Sequence, residues 1–277
     1  MQSSLQERRG YSLSKINTPK MDDDELLERI QKLNLLEDDF MTKCFEENVE
    51  ATELVLRIIL SKPDIKVNSM ATQYSMKNLK GRSIRLDIYA TDSVGKKYNI
   101  EVQKANIGAG AKRARYHSSL IDSNILPTGV YFDNLADTYV IFITENDVIG
   151  KNKPIYHIER YIRETEEYFG DGSHIIYVNA SHKDDSDLGK LMHDFSCINP
   201  DDMNYAVLAT TVKYYKEDKE GIRVMSSVIE EIITEVVTDE KKNSAIRMLE
   251  KEKYTCEEIA EVLALPLSVV ERLSKEL

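Results

Sequence analysis

The chain has 277 residues, of which 42% are hydrophobic and 31% are charged, and its formal net charge is −11. These proportions are typical of a globular protein that is long enough for a substantial core, either as one large domain or as a domain with an appendage. The negative charge argues against indiscriminate nucleic-acid binding. Three widely separated cysteines without a Cys-x-x-Cys pair argue against a disulfide framework or a zinc site.

Targeting and membrane-spanning patterns are absent from the sequence. The first twenty residues, MQSSLQERRGYSLSKINTPK, lack an apolar core of signal-peptide length. Later apolar runs such as LVLRIIL are too short, and too often interrupted by charge, to span a bilayer. We therefore expect a cytoplasmic protein without a membrane partner.

Helices are predicted for the first part of the chain. Residues 1–36 are typical of a mobile, partly disordered tail that leads into a short acidic helix, DDDELLERIQKLN. The segment DDFMTKCFEENVEATELVLRIIL places its apolar side chains roughly on one stripe and predicts a single helix that Pro63 ends. The alternating segment IKVNSMATQY then predicts a strand, and NLKGRS a turn.

Strands dominate the middle of the chain. RLDIYATDSVGKKYNIEVQ predicts a hairpin, GAKRARYHSSLID a helix, and the nearly continuous apolar run TYVIFITEN a central strand that is covered on both faces. PIYHIERYIRE and SHIIYVNA are also strand-like. From Asp185 onward the pattern is helical, and the last helices carry two capping-box patterns, Thr255 with Glu258 and Ser268 with Glu271. These two helices have the outline of a small helix-turn-helix.

Positive charge is concentrated around the predicted hairpin. Between Met76 and Tyr116 there are ten basic residues against three acidic ones, so this window carries +7 and the rest of the chain −18. The hairpin itself carries two acids, Asp87 and Glu101, among apolar and β-branched neighbours. A basic region around two acids in a half-buried hairpin favours a site to which phosphate is drawn.

The loop register decides how close the two acids come. A three-residue loop, 93–95, with Gly95 in a left-handed conformation places Asp87 opposite Glu101, with Cβ atoms about 4.5–5.5 Å apart. Carboxylates held so close repel each other unless a proton or a cation lies between them, and a hard divalent cation suits oxygen ligands. A two-residue loop, 94–95, instead places Asp87 opposite Val102. The alternative interpretation is a hairpin whose exposed acids are balanced by neighbouring basic residues.

Several of these segments together resemble the PD-(D/E)XK nuclease superfamily. Within it, the chain is similar to PD-(D/E)XK nuclease-family transposases, or recombination-promoting nucleases. The segments that carry the resemblance cover about residues 37–235 and are RSIRLDIYATDSVGKKYNIEVQ, GAKRARYHSSLID, YVIFITEND and MNYAVLATTVKYYKE. The resemblance implies an α/β, restriction-endonuclease-like fold, in which a central mixed β-sheet is flanked by helices and followed by a helical C-terminal extension.

The resemblance also implies an arrangement of domains. It indicates a nuclease-like domain over 37–240, preceded by the tail and short helix of 1–36. A small helix-turn-helix-like pair of helices follows over 241–277.

The same resemblance implies a site for Mg²⁺ or Mn²⁺. Asp87 and Glu101 match the metal-binding acids, and the backbone carbonyl of Val102 completes the ligand set. Gln103 stands where the superfamily usually has a lysine that positions the attacking water; its amide can hydrogen-bond but supplies no charge. An acid of the first helix often joins such sites, and here that acid is Glu53, with Glu50 as the alternative.

The implied function is metal-dependent DNA endonuclease activity, that is, phosphodiester hydrolysis of the transposase or recombination-promoting type. The residues expected to contact the nucleic acid are Arg85, Lys112, Arg113, Arg115 and Tyr116. The alternative is a catalytically degenerate nuclease fold that acts as a DNA- or protein-binding module. Between Glu250 and Leu277, seven acids and four basic residues favour packing or homo-oligomerisation over DNA reading for the C-terminal helices.

Overall fold

The computed structural model describes residues 21–78, 81–104 and 108–277, except for the side chain of Glu276. The predicted tail over residues 1–20 lies outside the described residues. Two compact units divide the described chain. One unit comprises Arg29–Ile222, and the other comprises Arg223–Leu277 together with the described residues up to Glu28.

Most strands lie in the middle of the described chain, with helices before, between and after them. The helices are α1 (Asp23–Lys32), α2 (Asp38–Phe45), α3 (Val49–Leu60), α4 (Ala111–Ile125), α5 (Asp187–Ser196), α6 (Ala206–Glu217), α7 (Lys219–Leu249), α8 (Cys256–Leu263) and α9 (Leu267–Glu276). The strands, here numbered in chain order, are β1 (Val67–Met76), β2 (Ile84–Asp92), β3 (Lys97–Gln103), β4 (Thr138–Thr144), β5 (Ile155–Ile158), β6 (Tyr161–Ile162), β7 (Glu167–Tyr168) and β8 (Ser173–Asn179). Because helices accompany a mixed sheet, the predicted α/β class is confirmed.

Six strands form the central sheet in the order β1-β2-β3-β4-β8-β5. β1, β2 and β3 pair antiparallel, β3, β4 and β8 pair parallel, and β5 returns antiparallel against β8. Every residue of β4 is buried, which confirms the central strand predicted from TYVIFITEN. Since parallel neighbours need a crossover, the chain passes from β3 through α4 before it enters β4.

Helix α4 covers one face of this sheet. Ala114 and Ile121 of the helix join Leu86, Phe142 and Tyr177 of the strands in one buried cluster. Contacts between apolar side chains therefore hold α4 against β2, β4 and β8. α2 packs against β1 and β2, so that its first residues also lie near the hairpin.

The single helix predicted over 38–60 is wrong, because two helices occupy this segment. Glu47 has a left-handed backbone with φ 56° and interrupts the helical path. Asn48 then caps α3, with its Oδ1 accepting from the N–H of Ala51 at 3.0 Å and its Nδ2 donating to the carbonyl of Cys44 at 3.1 Å. An asparagine that bonds nearby backbone groups favours such a break over a continuous helix.

The hairpin loop has the predicted three-residue length. Asp92 donates its N–H to the carbonyl of Lys96 at 3.1 Å, and Gly95 between them has φ 89°. The Asp92 side chain also accepts from the N–H groups of Val94 and Lys96, at 3.0 and 2.9 Å. The backbone pairs then run from Thr91 opposite Lys97 to Ile88 opposite Ile100, in the register that the three-residue loop predicts.

The C-terminal helices pack against each other and against the preceding helix. Ala245 of α7, Ile259 of α8 and Val270 of α9 belong to one buried cluster. The capping box of Thr255 and Glu258 is confirmed. The second predicted box is wrong, because α9 begins two residues earlier than a Ser268 cap requires, at Leu267, and Pro266 stands at its N-cap without a side-chain bond. No helix in the described part of the chain combines the length and apolarity that crossing a membrane requires.

The loop residue Gly95 offers a direct test of the hairpin. We expect Gly95→Ala to lower the free energy of unfolding by about 1–2 kcal/mol, because an L side chain is strained at positive φ. Gly95→Asn is the matched control, since asparagine tolerates the left-handed region better than alanine. Denaturant melts that give equal stability for the Ala and Asn variants would contradict this account.

Candidate metal centre of a nuclease

The site lies where β2 and β3 stop sharing a regular ladder. Beyond the pair of Ile88 and Ile100, side chains take over the hydrogen bonds between the strands. The N–H of Val102 donates to Asp87 Oδ2 at 3.0 Å, and the N–H of Asp87 donates to Glu101 Oε1 at 3.4 Å. The two acids predicted from the hairpin are thus adjacent, and each meets the backbone of the opposite strand.

The side-chain alternation of β2 is irregular near Asp87. Leu86 belongs to the cluster under α4, yet Tyr89, three residues later, packs against the same cluster. A regular strand would put residues an odd number apart on opposite faces, so the alternation of β2 changes between these two positions. Across from Asp87 in β1, Gln73 has a left-handed backbone with φ 50°. Such strained backbone is concentrated at functional sites.

Burial gives the two acids unusual chemistry. Glu101 is fully buried and Asp87 is only 7% exposed. Burial, together with the negative charges of Glu101 and Asp38, raises the pKa of Asp87 to about 8, although the Val102 N–H and Arg113 act in the opposite direction. A carboxyl group in this environment holds a proton at neutral pH unless a cation compensates its charge.

Two side chains of α4 contact Glu101. Arg113 Nη2 donates to Glu101 Oε2 at 3.0 Å, and His117 Nδ1 lies 3.6 Å from Glu101 Oε1. Arg113 Nε also donates to His117 Nε2 at 3.3 Å. Because Arg113 and His117 are four residues apart, they lie on the same side of the helix and act on one carboxylate.

Val102 and Gln103 complete the end of β3. The N–H of Val102 points toward β2, and because the N–H and C=O of one strand residue point the same way, its carbonyl also points toward β2. Gln103 lies on the face of β3 that carries Glu101. Its Oε1 lies directly against Gly108: a Cβ on residue 108 would be only 1.8 Å from this oxygen. Lys104 forms an ion pair with Glu37, so the structure offers no sign that it replaces the missing lysine.

Asp38 is an acid that the sequence analysis did not single out. It is the first residue of α2, and its charge is among the causes that raise the pKa of Asp87. Gln73 Nε2 donates to Asp38 Oδ1 at 3.1 Å and to Thr42 Oγ1 at 2.8 Å. These bonds connect α2 to β1 at its left-handed residue, Gln73. In the sequence Asp38 looks like an ordinary acid in the first turn of a helix, and no local pattern distinguishes it.

The structure does not bring Glu53 to Asp87 and Glu101. Glu53 accepts from the N–H of Val67 at 2.8 Å and forms an ion pair with Arg57. Val67 pairs with Asp92, five residues along β2 from Asp87, or about 16 Å at the usual rise of a strand. The alternative candidate, Glu50, is exposed on α3.

The five residues expected to bind nucleic acid occupy different environments. Lys112 and Arg115 are exposed on α4, and Arg85 is exposed on β2. Arg113 is engaged with Glu101, as described above. Tyr116 donates its hydroxyl hydrogen to the carbonyl of Arg82 and accepts from Asn78 Nδ2 at 3.0 Å, so its hydroxyl holds the connection between β1 and β2.

The donor set suits a hard divalent cation in its chemistry. Two buried carboxylates and the carbonyl of Val102 are oxygen ligands, the type that Mg²⁺ and Mn²⁺ prefer. Within residues 21–78, 81–104 and 108–277, no three His, Cys, Asp or Glu side chains are grouped closely enough to hold a metal by themselves. A cation here would therefore depend on the acid pair, the carbonyl and water.

The mixed sheet, the separated strands and the Asp and Glu-x-Gln residues at their ends define an α/β protein of the PD-(D/E)XK nuclease type. The comparison with protein families agrees: the model of the PD-(D/E)XK nuclease family transposase matches residues 38–263. The chain belongs to this family. No curated protein and no solved structure matches it.

The raised pKa of Asp87 predicts a pH-dependent stability. The folded state retains a proton that the unfolded chain has already lost, so wild-type stability falls as the pH rises from about 4 to about 8. Asp87→Asn removes this loss and keeps an acceptor for the Val102 N–H. In metal-free buffer at pH 8.5 we expect this variant to exceed the wild type by about 2–4 kcal/mol of unfolding free energy, and to gain nothing at pH 4.

Denaturant titrations across this pH range measure the effect. Asp64→Asn is the control, because Asp64 is exposed in the loop before β1. A stability difference between wild type and Asp87→Asn that does not change with pH would contradict the assignment.

Proposed function

We propose that this protein is a metal-dependent DNA endonuclease that hydrolyses phosphodiester bonds. The observation that carries the proposal is the buried pair of Asp87 and Glu101 at the point where β2 and β3 separate, with the pKa of Asp87 raised to about 8. Buried acids with perturbed pKa values are concentrated at functional sites, because a folded protein otherwise avoids their cost. Membership of a nuclease family supports the same reaction class.

Asp87, Glu101 and the carbonyl of Val102 are the proposed ligands of Mg²⁺ or Mn²⁺, and Asp38 adds a further negative charge nearby. When bound, such an ion lowers the pKa of water and stabilises negative charge on the phosphodiester. In the hydrolysis, the water oxygen forms a bond to phosphorus, a phosphorus–oxygen ester bond breaks, and the leaving oxygen takes up a proton. The chain's task is to hold the reacting phosphate in line for this displacement.

Gln103 is the proposed positioning group for the phosphate or the attacking water. Its amide can donate one hydrogen bond and accept another, but it cannot stabilise charge as lysine does. DNA reaches the site through the basic surface, where Lys112 and Arg115 are exposed on α4 and Arg85 on β2. These side chains contact phosphates and so position the duplex without reading its sequence. A cytoplasmic location and homo-oligomerisation through the C-terminal helices stay predictions.

Nicking of supercoiled plasmid tests the proposal. We expect wild-type protein to nick in Mg²⁺ or Mn²⁺ and to stop on addition of EDTA, and Asp87→Ala and Glu101→Ala each to reduce the rate by about 10²-fold or more, since each removes a proposed ligand. Asp64→Ala is the matched control, an exposed acid replaced in the same way. Equal nicking by all four preparations would refute the assignment.

The alternative function is that of a degenerate nuclease fold that binds DNA or protein without cutting. It has a specific basis in Gln103, which stands where a lysine is usual in the superfamily. Calorimetric titration with Mn²⁺ separates the two functions. Absence of Mn²⁺ binding by wild-type protein, with DNA affinity intact, would establish the binding module instead.

The role of Gln103 can be tested separately from metal binding. We expect Gln103→Ala to lower kcat by about 10–100-fold, because a positioned hydrogen bond to the reacting group is lost, while Mn²⁺ affinity changes little. Gln103→Lys supplies the charge and should restore or exceed wild-type kcat. Single-turnover cleavage measured beside Mn²⁺ calorimetry checks both expectations, and a Gln103→Ala variant with wild-type kcat would remove Gln103 from the site.

A further inference from the structure

Arg113 donates hydrogen bonds to three acceptors next to the acid pair. Its guanidinium donates to Glu101 Oε2 at 3.0 Å, to the carbonyl of Gly108 at 3.1 Å and to His117 Nε2 at 3.3 Å. The side chain is 41% exposed, whereas the Glu101 carboxylate that it contacts is fully buried. Arg113 therefore reaches from solvent to a buried acid.

The contact between Arg113 and Glu101 compensates the buried negative charge of Glu101. A buried carboxylate without a positive partner is strongly destabilising, and a planar guanidinium with several donors is well suited to provide one. His117 fixes the direction of this partner, because the imidazole is buried against Phe142 and accepts from Arg113 Nε. Arg113 therefore occupies the same carboxylate that is a proposed ligand of the cation.

The neighbours of Arg113 on α4 behave differently. Lys112 and Arg115 are exposed, and neither forms an ion pair with a residue in the described part of the chain. Their charges are thus available to DNA at all times. The charge of Arg113 is not available to DNA as long as Glu101 holds it.

We propose that Arg113 is a positioning residue with two alternative partners. Its guanidinium neutralises Glu101 before a divalent cation binds, and then moves to bind a DNA phosphate. This inference rests on the proposed function. A cation bound at the acid pair would repel the guanidinium and compete with it for the Glu101 carboxylate, and so would set Arg113 free. A freed guanidinium is a bidentate donor for a phosphate group. Cation and DNA binding are consequently coupled, each strengthening the other by the same factor.

Calorimetric titration of full-length protein with Mn²⁺, without DNA, is the first test. We expect Arg113→Gln to bind Mn²⁺ about tenfold more tightly than wild type, because the competing charge is gone. Arg115→Gln removes the same charge two residues further along α4. It should change the Mn²⁺ affinity by less than about threefold, because it acts only through the overall charge near the site. A purely structural Arg113 predicts the opposite sign, since its loss would leave Glu101 poorly held and weaken Mn²⁺ binding.

Fluorescence anisotropy with a short labelled duplex is the second test. Without a divalent cation, Arg113→Gln and wild type should bind DNA equally, because Arg113 is held by Glu101. In saturating Mn²⁺, the variant should bind about tenfold more weakly than wild type, since a charge-assisted phosphate contact is lost. Arg115→Gln should lose the same factor with and without Mn²⁺. Gel analysis after each measurement verifies that the duplex is intact.

The outcomes separate this inference from the proposed function. No Mn²⁺ binding by wild type refutes the proposed metal centre itself. Mn²⁺ binding by wild type, with unchanged or weaker binding by Arg113→Gln, refutes the exchange alone. Arg113→Lys is a second variant in case the neutral variant does not fold. It keeps the positive charge but loses the hydrogen bonds to Gly108 and His117. It should therefore bind Mn²⁺ with an affinity between those of wild type and Arg113→Gln.

Discussion

The burial of two carboxylates between β2 and β3 is the constraint around which this molecule is organised. Removing a charged group from water costs several kcal/mol unless hydrogen bonds and opposite charge compensate. Here the backbone of each strand donates to the acid of the other, through Val102 to Asp87 and through Asp87 to Glu101. These bonds take the place of the regular ladder, so the strands separate at the same point at which the acids meet.

The topology of the sheet explains how the positive partner reaches this point. β3 pairs antiparallel with β2 on one side and parallel with β4 on the other. A parallel neighbour requires a crossover, and the crossover helix α4 begins next to the end of β3 that carries Glu101. Arg113 and His117 therefore approach Glu101 from the first two turns of α4. The same turns expose Lys112 and Arg115, which places a basic surface beside the acid pair.

The far side of the site depends on a strained strand. Gln73 adopts φ 50° within β1 and directs its amide to Asp38 and Thr42 of α2. An unfavourable backbone of this kind costs about 1–3 kcal/mol and persists only where surrounding contacts enforce it. The charge of Asp38 contributes to the raised pKa of Asp87. The strain and the charge thus lie at the same place as the acid pair, which is consistent with a functional site.

Local information accounts for what could be predicted of this protein. The hairpin register follows from three loop residues and the left-handed Gly95, so the proximity of Asp87 and Glu101 was within reach of the sequence. β4 was recognisable because a strand buried on both faces has an apolar run of its own. The family was recognisable because several quoted segments resemble it together, and the family model confirms that resemblance over 38–263. Helix ends were less certain, as Glu47 and Pro266 show, since capping depends on single residues.

The remaining features of the site depend on contacts between segments that are distant in the sequence. The α/β class and the family followed from the resemblance of several segments to a known family. The hairpin and its two acids followed from turn chemistry and short spacings, which are local properties of the chain. Which other side chains meet those acids depended on tertiary contacts. These contacts brought Asp38 toward Asp87, engaged Arg113 with Glu101, and left Glu53 with Arg57 and Val67. Pairings of this kind depend on how α2, α3 and α4 pack on the sheet, and no pattern along the chain records that packing.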